Sequence, residues 1–372
     1  MIENQKFFLQ IEKSFFGPQK PLVISELGTS HNGDISKAKE MVAAAAEAGA
    51  DCAKFQMVYA DEILHPNTGE VTLPGGRIRL YDRFKALETP VEFYTEIKEY
   101  AESLGLLFLC TPFGLKSASL LLKIKPKVVK IASPELNFTG LLEEIASWQL
   151  PVLLSSGVSR LSDIEKAIDV LGDKSRLCLL HCVTAYPAPE TDYNLRVLPN
   201  LAAVFGVPTG VSDHSRDPVL VPALAVSMGA AVIEKHFCLS RDDPGLDDPI
   251  ALPPKEFSQM VGAIRRAAET GPGETLAFFR REYGDSLVEN ILGNGVKELA
   301  PSEKANYRFT NRSVHALRDI QKGETLKRGD YAVLRTEKNL RPGLEPCMEK
   351  ALEGRTAKDF IPAGEGIRFE DI

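Results

Sequence analysis

The feature that most constrains this chain is a repeat of short apolar runs and helix-period segments, sustained from Pro21 to about Thr270. The runs are PLVISEL, CAKFQ, LLFLC, VVKIA, PVLLSS, LCLLHC, VPTGVS and AAVIEK. They are continuously apolar and do not alternate with polar residues, which marks strands buried on both faces and hence a parallel sheet. Between them the spacing predicts helices such as Leu115–Lys123, Leu161–Leu171, Asn194–Val204 and Pro218–Met228. Eight strand–helix units in roughly 250 residues predict an α/β fold of the (β/α)8 TIM-barrel type. The alternative is an open doubly wound sheet, but no Gly-x-Gly-x-x-Gly fingerprint follows a strand here.

In such a barrel the chemistry lies where the strands end. Those positions hold Glu26, Lys54 with Gln56, Thr111, Lys130 with Ser133 and Glu135, Ser155, Tyr186, His214, and Glu234 with His236. A charge buried without a partner costs several kcal/mol, so Lys54 and Lys130 need a partner or a task. Either they pair with Glu26 and Glu234, or they hold an anionic group such as phosphate or carboxylate. His214 and His236 follow the ends of consecutive strands, which one right-handed crossover places side by side. Each is either a hydrogen-bonded core or loop residue, or a ligand to a divalent transition ion. His31, in HNGD, is read as a loop residue beside the cap of the first helix.

The net charge of −7 speaks against a nucleic-acid partner. No apolar run approaches the length of a membrane span, and the opening MIENQKFFLQIEKSFFGPQK lacks the pattern of a secretory leader. Cys52, Cys110, Cys178, Cys182, Cys238 and Cys347 show no paired spacing, as expected of reduced thiols in a cytoplasmic protein. Residues 1–270 form the expected barrel domain. Residues 271–305, rich in Gly and charge, are read as a linker, helical around Leu276–Tyr283. Residues 306–372 read as a small β-rich domain that packs on another surface, being too short to bury a large core alone.

Longer motifs add a resemblance. ISELGTSHNGD at 24–34, EAGADCAKFQ at 47–56, FLCTPF at 108–113, KIASPE at 130–135, LLSSGVS at 153–159, LLHCVTAYPAP at 179–189, GVSDHS at 210–215 and EKHF at 234–237 occur in one order. In these the chain resembles the bacterial sialic acid synthases, a family that includes pseudaminic and legionaminic acid synthases and spore-coat polysaccharide relatives. NRSVHALRDIQKGETL at 311–326 resembles their C-terminal antifreeze-like (SAF, β-clip) domain.

The resemblance implies a transferase that joins phosphoenolpyruvate to the aldehyde of an N-acetylated amino sugar, N-acetylmannosamine or a related 2,4-diacetamido sugar. The products would be a nine-carbon 2-keto acid and phosphate. It implies a divalent metal on His214 and His236, Mn2+ by expectation with Mg2+ or Co2+ as alternatives. Phosphoenolpyruvate would be held by Lys54, Thr111, Lys130, Ser133 and Ser155, with Glu26 as general base. Gln56, Glu135, Tyr186 and Asp247 would contact the sugar or a metal-bound water. A domain-swapped homodimer would bring Arg312 to the partner's sugar. The chain departs from the family pattern at GLDDPIALPPKEF (245–257), where Asp248 and Pro253 replace an expected histidine and glutamate. Two competing readings are a phosphoenolpyruvate-dependent 3-deoxy-sugar-acid synthase and a non-catalytic sugar-binding scaffold.

Overall fold

The computed structural model describes residues 7–73 and 76–372, so residues 1–6 of the opening stretch lie outside it. Eight strands and their helices alternate along the chain: β1 (Leu22–Gly28), α1 (Ile35–Glu47), β2 (Cys52–Met57), α2 (Val91–Ser103), β3 (Leu107–Pro112) and α3 (Leu115–Lys123). They continue with β4 (Val129–Ile131), α4 (Thr139–Ser147), β5 (Val152–Ser155), α5 (Leu161–Leu171), β6 (Leu177–Cys182) and α6 (Val197–Phe205). The last units are β7 (Thr209–Asp213), α7 (Leu220–Ser227), β8 (Val232–His236) and α8 (Pro254–Thr270). All ladders are parallel, in the order β3-β2-β1-β8-β7-β6-β5-β4, and β3 stands against β4 to bring the sheet nearly to closure.

The continuous apolar runs follow from burial on both faces. Val23, Phe55, Phe108, Val129, Leu154, Leu179 and Ile233 join the helices in the outer core. Their neighbours Leu22, Ile24, Cys52, Leu109, Leu153, Leu180 and Val232 form a separate cluster inside the barrel. That inner cluster ends in an N-terminal hairpin, Leu9–Ile11 with Ser14–Phe16, whose Leu9, Ile11 and Phe16 plug the barrel below the strands. Apolar residues thus fill the lower barrel and leave the polar residues to the carboxyl ends, the usual layering of this architecture.

Two helices start later than the spacing predicts. Asn194 adopts φ 46° and uses its side chain to bind Val296 O and Gly295 N, so α6 begins only at Val197. Asp217 Oδ1 accepts the N–H groups of Val219 and Leu220, so α7 starts at Leu220.

Residues 271–305 contain the helix expected around Leu276–Tyr283 and a second one. They form α9 (Pro272–Tyr283) and α10 (Asp285–Leu292), with Phe279, Val288, Ile291 and Leu292 buried against the barrel's helices. Gly271 at φ 81° and Gly284 at φ 87° are sharp stops between helices, and Pro272 at the first helical position suits a start. The C-terminal unit holds one antiparallel pair, β9 (Arg312–Ala316) with β10 (Tyr331–Arg335), extended by isolated bridges such as His315↔Gly366 and Ile320↔Ile361. Its buried Val314, Ile320, Leu326, Ile361 and Ile367 belong to the same apolar cluster as the barrel's outer core.

Candidate active site

Register sets polar strand-end residues side by side. Glu26 pairs with Lys54 across β1–β2, His236 with Glu26 across β8–β1, and Ser212 with Glu234 across β7–β8. Lys54 Nζ lies 2.9 Å from Glu26 Oε2 and 3.1 Å from Glu234 Oε1. Lys130 Nζ lies 3.5 Å from the same Glu234 oxygen and donates to Ser155 Oγ at 2.7 Å. Gln56 Nε2 donates to Glu26 at 2.6 Å, and Ser212 Oγ to Glu234 at 2.8 Å. All four charges are buried.

Burial alone would raise the Glu234 carboxyl, but Lys130 and Lys54 outweigh it and bring it down to about 2. Burial likewise works against Lys54, yet Glu234 and Glu26 hold its pKa well above the ordinary lysine value. For Lys130 burial prevails over Glu234, and its pKa falls. Lys130 is thus the less compensated cation and gains more from an added anion.

Above this floor stand the two histidines, ring centroids 5.4 Å apart. His214 Nδ1 donates to Val183 O at 2.8 Å, which leaves Nε2 on the cavity side, 3.3 Å from the Tyr186 hydroxyl. Tyr186 stacks on the His214 ring at 4.3 Å. Burial, reinforced by His214, lowers His236 to about 3. At His214 burial is outweighed by the neighbouring Cys182, which raises the imidazole to about 9, so a metal bound there displaces a proton. Asp247 Oδ2 lies 3.8 Å from His236 Nδ1. Two imidazoles with a nearby carboxylate are suitable donors for a divalent transition ion. Among the described residues no three His, Cys, Asp or Glu side chains form a ready-made metal cluster. A cation here would share its coordination shell with substrate or water.

The other expected residues divide by position. Ser133, Ser155, Gln56, Tyr186 and Asp247 line the same cavity of about 870 Å³ as Glu26, both lysines and both histidines. Thr111 is buried opposite Gln56 in the β2–β3 register, but it is not among the cavity-lining residues. Glu135 and Arg312 correct the expectation of sugar contact. Arg312 is fully buried, donates through Nε and Nη2 to Glu135 Oε1 at 3.0 and 2.8 Å, and binds the carbonyls of Glu62 and Phe113. Its guanidinium is used up as a tie between the C-terminal unit and the barrel. Arg335 shares Glu135 with it and does line the cavity. Asp248, at the departure from the family motif, is also structural, accepting from Ser30 Oγ and from Gly245 N.

Sequence reasoning missed three participants. Arg335 ends an apolar run, YAVLR, as Lys54 and Lys130 interrupt theirs, and that signal was available. Cys182, 3.8 Å from His214 Nδ1, reads only as another core thiol. Glu303 lies in a polar stretch, yet it is wholly buried and accepts N–H groups from Val158, Thr184 and Ala300.

The model of the NeuB family matches residues 41–274, and that of the SAF domain matches residues 311–372. The chain belongs to the NeuB family. This NeuB-family chain is 34% identical to the spore coat polysaccharide biosynthesis protein SpsE of Bacillus subtilis, over 98% of the chain and 96% of the relative. The SpsE crystal structure superposes with a TM-score of 0.81, covering 98% of this chain and 99% of the other. The chain is also 34% identical to an N,N'-diacetyllegionaminic acid synthase of Legionella pneumophila, covering 94% of each. A crystal structure of an N-acetylneuraminic acid synthetase from Leptospira borgpetersenii, complexed with citrate, has 31% identity and a TM-score of 0.65, covering 81% of this chain and 95% of that one.

Proposed function

We propose that this chain is a nonulosonic acid synthase that condenses phosphoenolpyruvate with the open-chain aldehyde of an N-acetylated amino sugar. One observation carries the reading: Glu26, Lys54, Glu234 and Lys130 form a buried charge chain directly beneath two histidines at a barrel mouth. A sugar-binding scaffold has no need of two buried lysines and two buried carboxylates, whose desolvation is costly. The names of relatives, diacetyllegionaminic and pseudaminic acid synthases among them, support the same class.

In this reading Lys130, Lys54, Ser133 and Ser155 hold the phosphate and carboxylate, and the ligand's negative charge supplements Glu234 as partner to the lysines. A carbon–carbon bond forms between C3 of phosphoenolpyruvate and the aldehyde carbon, whose oxygen takes up a proton. Water adds at C2, and the C2–O bond to phosphate breaks. Glu26, held by Lys54 and Gln56, removes the proton of the attacking water. His214 and His236 would hold a divalent ion, Mn2+ by expectation, which supplies Lewis-acid polarisation of the aldehyde oxygen. Tyr186 and Asp247 orient the sugar beside them. The reaction belongs in the cytoplasm, where the buried free thiols Cys52, Cys110, Cys178, Cys182 and Cys238 stay reduced.

Phosphate release from phosphoenolpyruvate, measured across a panel of amino-sugar aldehydes with and without EDTA, tests the reading. Glu26→Gln is expected to lower kcat on the order of 10²-fold or more while leaving phosphoenolpyruvate binding intact. Turnover unchanged by Glu26→Gln, or by removal of divalent metal, sinks this mechanism.

A further inference from the structure

Beyond the barrel's own helices, residues 303–311 reach back to the mouth and take hold of two loops. Glu303 Oε2 accepts Val158 N at 3.0 Å and Thr184 N at 2.9 Å. Asn311 Nδ2 donates to Val158 O at 3.2 Å, and Asn306 Nδ2 to Thr184 O at 2.8 Å. Three side chains thus satisfy both polar backbone atoms of Val158, which follows β5, and of Thr184, which follows β6. Glu303, Asn311 and Val158 are all buried.

Val158 shows why such a grip is needed. Its φ of 42° lies in the left-handed region, where a branched residue is strained and persists only if its surroundings impose it. The turn it closes begins at Ser155, whose hydroxyl accepts from Lys130, and passes through Gly157, whose N–H donates to Ser133 Oγ at 3.0 Å. Gly157 has no room for a Cβ between Thr184 Oγ1 and Ser133 Oγ, so the loops after β4, β5 and β6 meet there. Relaxing Val158 to an extended backbone would carry the Gly157 peptide, and Ser155 before it, out of line with Ser133 and Lys130. Ser133, Ser155 and Thr184 line the cavity, whereas Glu303 and Asn311 do not.

We propose that Glu303 and Asn311 are positioning residues that hold the Ser155–Val158 turn in its strained form, so that Ser133 and Ser155 face one anionic ligand. On the footing of the synthase reading, that ligand is phosphoenolpyruvate. Asn311 directly precedes Arg312, the first residue of β9, so the docking of the C-terminal unit and the shape of this turn are set together. Because neither residue lines the cavity, both act on the ligand through the turn.

The test measures binding of phosphoenolpyruvate and of inorganic phosphate to the full chain by calorimetry, and both KM values with an acceptor that supports phosphate release. Asn311→Ala frees Val158 O and leaves Thr184 held. It should weaken phosphoenolpyruvate about tenfold or more and leave the acceptor KM within about twofold. Glu303→Gln keeps an oxygen for the Val158 and Thr184 N–H groups and should lose distinctly less, with thermal unfolding showing both variants folded. Unchanged phosphoenolpyruvate binding in folded Asn311→Ala overturns the proposal. Equal losses for phosphoenolpyruvate and acceptor show a general structural role and overturn it as well. If the unaltered chain releases phosphate with no acceptor, the synthase reading fails, while calorimetry still decides the role of the turn. An unaltered chain that binds neither phosphoenolpyruvate nor inorganic phosphate overturns both.

Discussion

At the residue scale, the chain's titratable groups are set by burial more than by type. His31, His181 and His315 lie outside the cavity lining, in the β1–α1 loop, in β6 and in β9. Burial chiefly lowers their pKa values to about 4, 3 and 4. In the unfolded chain each takes up a proton near pH 6.5, while the folded chain refuses it until about pH 4. Their contribution to stability is therefore complete above about pH 6.5 and is lost as pH falls toward about 4. The expected slope is at most about 1.4 kcal/mol per pH unit for each histidine. Urea midpoints measured between about pH 7.5 and 5 should fall with acidification, and a flat profile would contradict the buried neutral state. His31 also shows what one residue reveals in sequence. Its loop position beside the capping Asp34 was legible, because Asp34 Oδ1 accepts from Ser36 and Lys37 by a local rule. Its packing against Phe93, ring centroids 4.6 Å apart, was not, since that contact joins residues distant in sequence.

At the scale of elements, the eight strands and their helices were legible because their periods are local and strong. In the segment after α8 the helix around Leu276–Tyr283 is legible in the sequence, whereas the second helix, Asp285–Leu292, is not, because Gly271 and Gly284 terminate helices there. Beyond α10 the chain is fastened step by step to the barrel: Arg196 holds Gly293 O, Asn200 holds Gly295 O, and Asn306 holds Thr184 O. Glu303 is the strongest of these fastenings, tying the loops after β5 and β6 to one carboxylate. Its replacement by Ala strands three buried N–H groups, at about 1–3 kcal/mol each. Glu303→Ala should therefore lose roughly 3 kcal/mol or more in urea denaturation, and Glu303→Gln distinctly less. Similar losses for the two variants would show that side-chain volume matters there and that acceptance of the N–H groups does not.

At the scale of the molecule, the C-terminal unit covers the mouth of its own barrel. Arg312 and Arg335 meet Glu135 of the same chain, Arg335 bridges to Leu64, and Asn67 holds Ala363 O. These contacts lie within one chain, where the domain-swapped homodimer expected from the resemblance would make them between two copies. Co-expression of Glu26→Gln with Arg335→Ala chains tests this. Closure in cis predicts no recovery of turnover beyond the two variants alone. Exchange of caps between two copies would restore about a quarter of the sites, since half the random pairs would hold one intact site. No helix among the described residues is long and apolar enough to cross a membrane.

The sequence by itself determined the alternation of strands and helices, the barrel they close, and which strand ends carry acid, lysine and histidine. These follow from short-range periodicity and from the rule that consecutive parallel strands end at one rim. Only the tertiary structure decided how those groups are used. It paired Lys54 and Lys130 with Glu26 and Glu234, withdrew Arg312 and Glu135 from the cavity into a buried tie, and put Arg335 at the wall. The reason is physical: a buried charge takes whichever partner the fold brings within a few ångströms, and for these pairs that partner lies tens to hundreds of residues away.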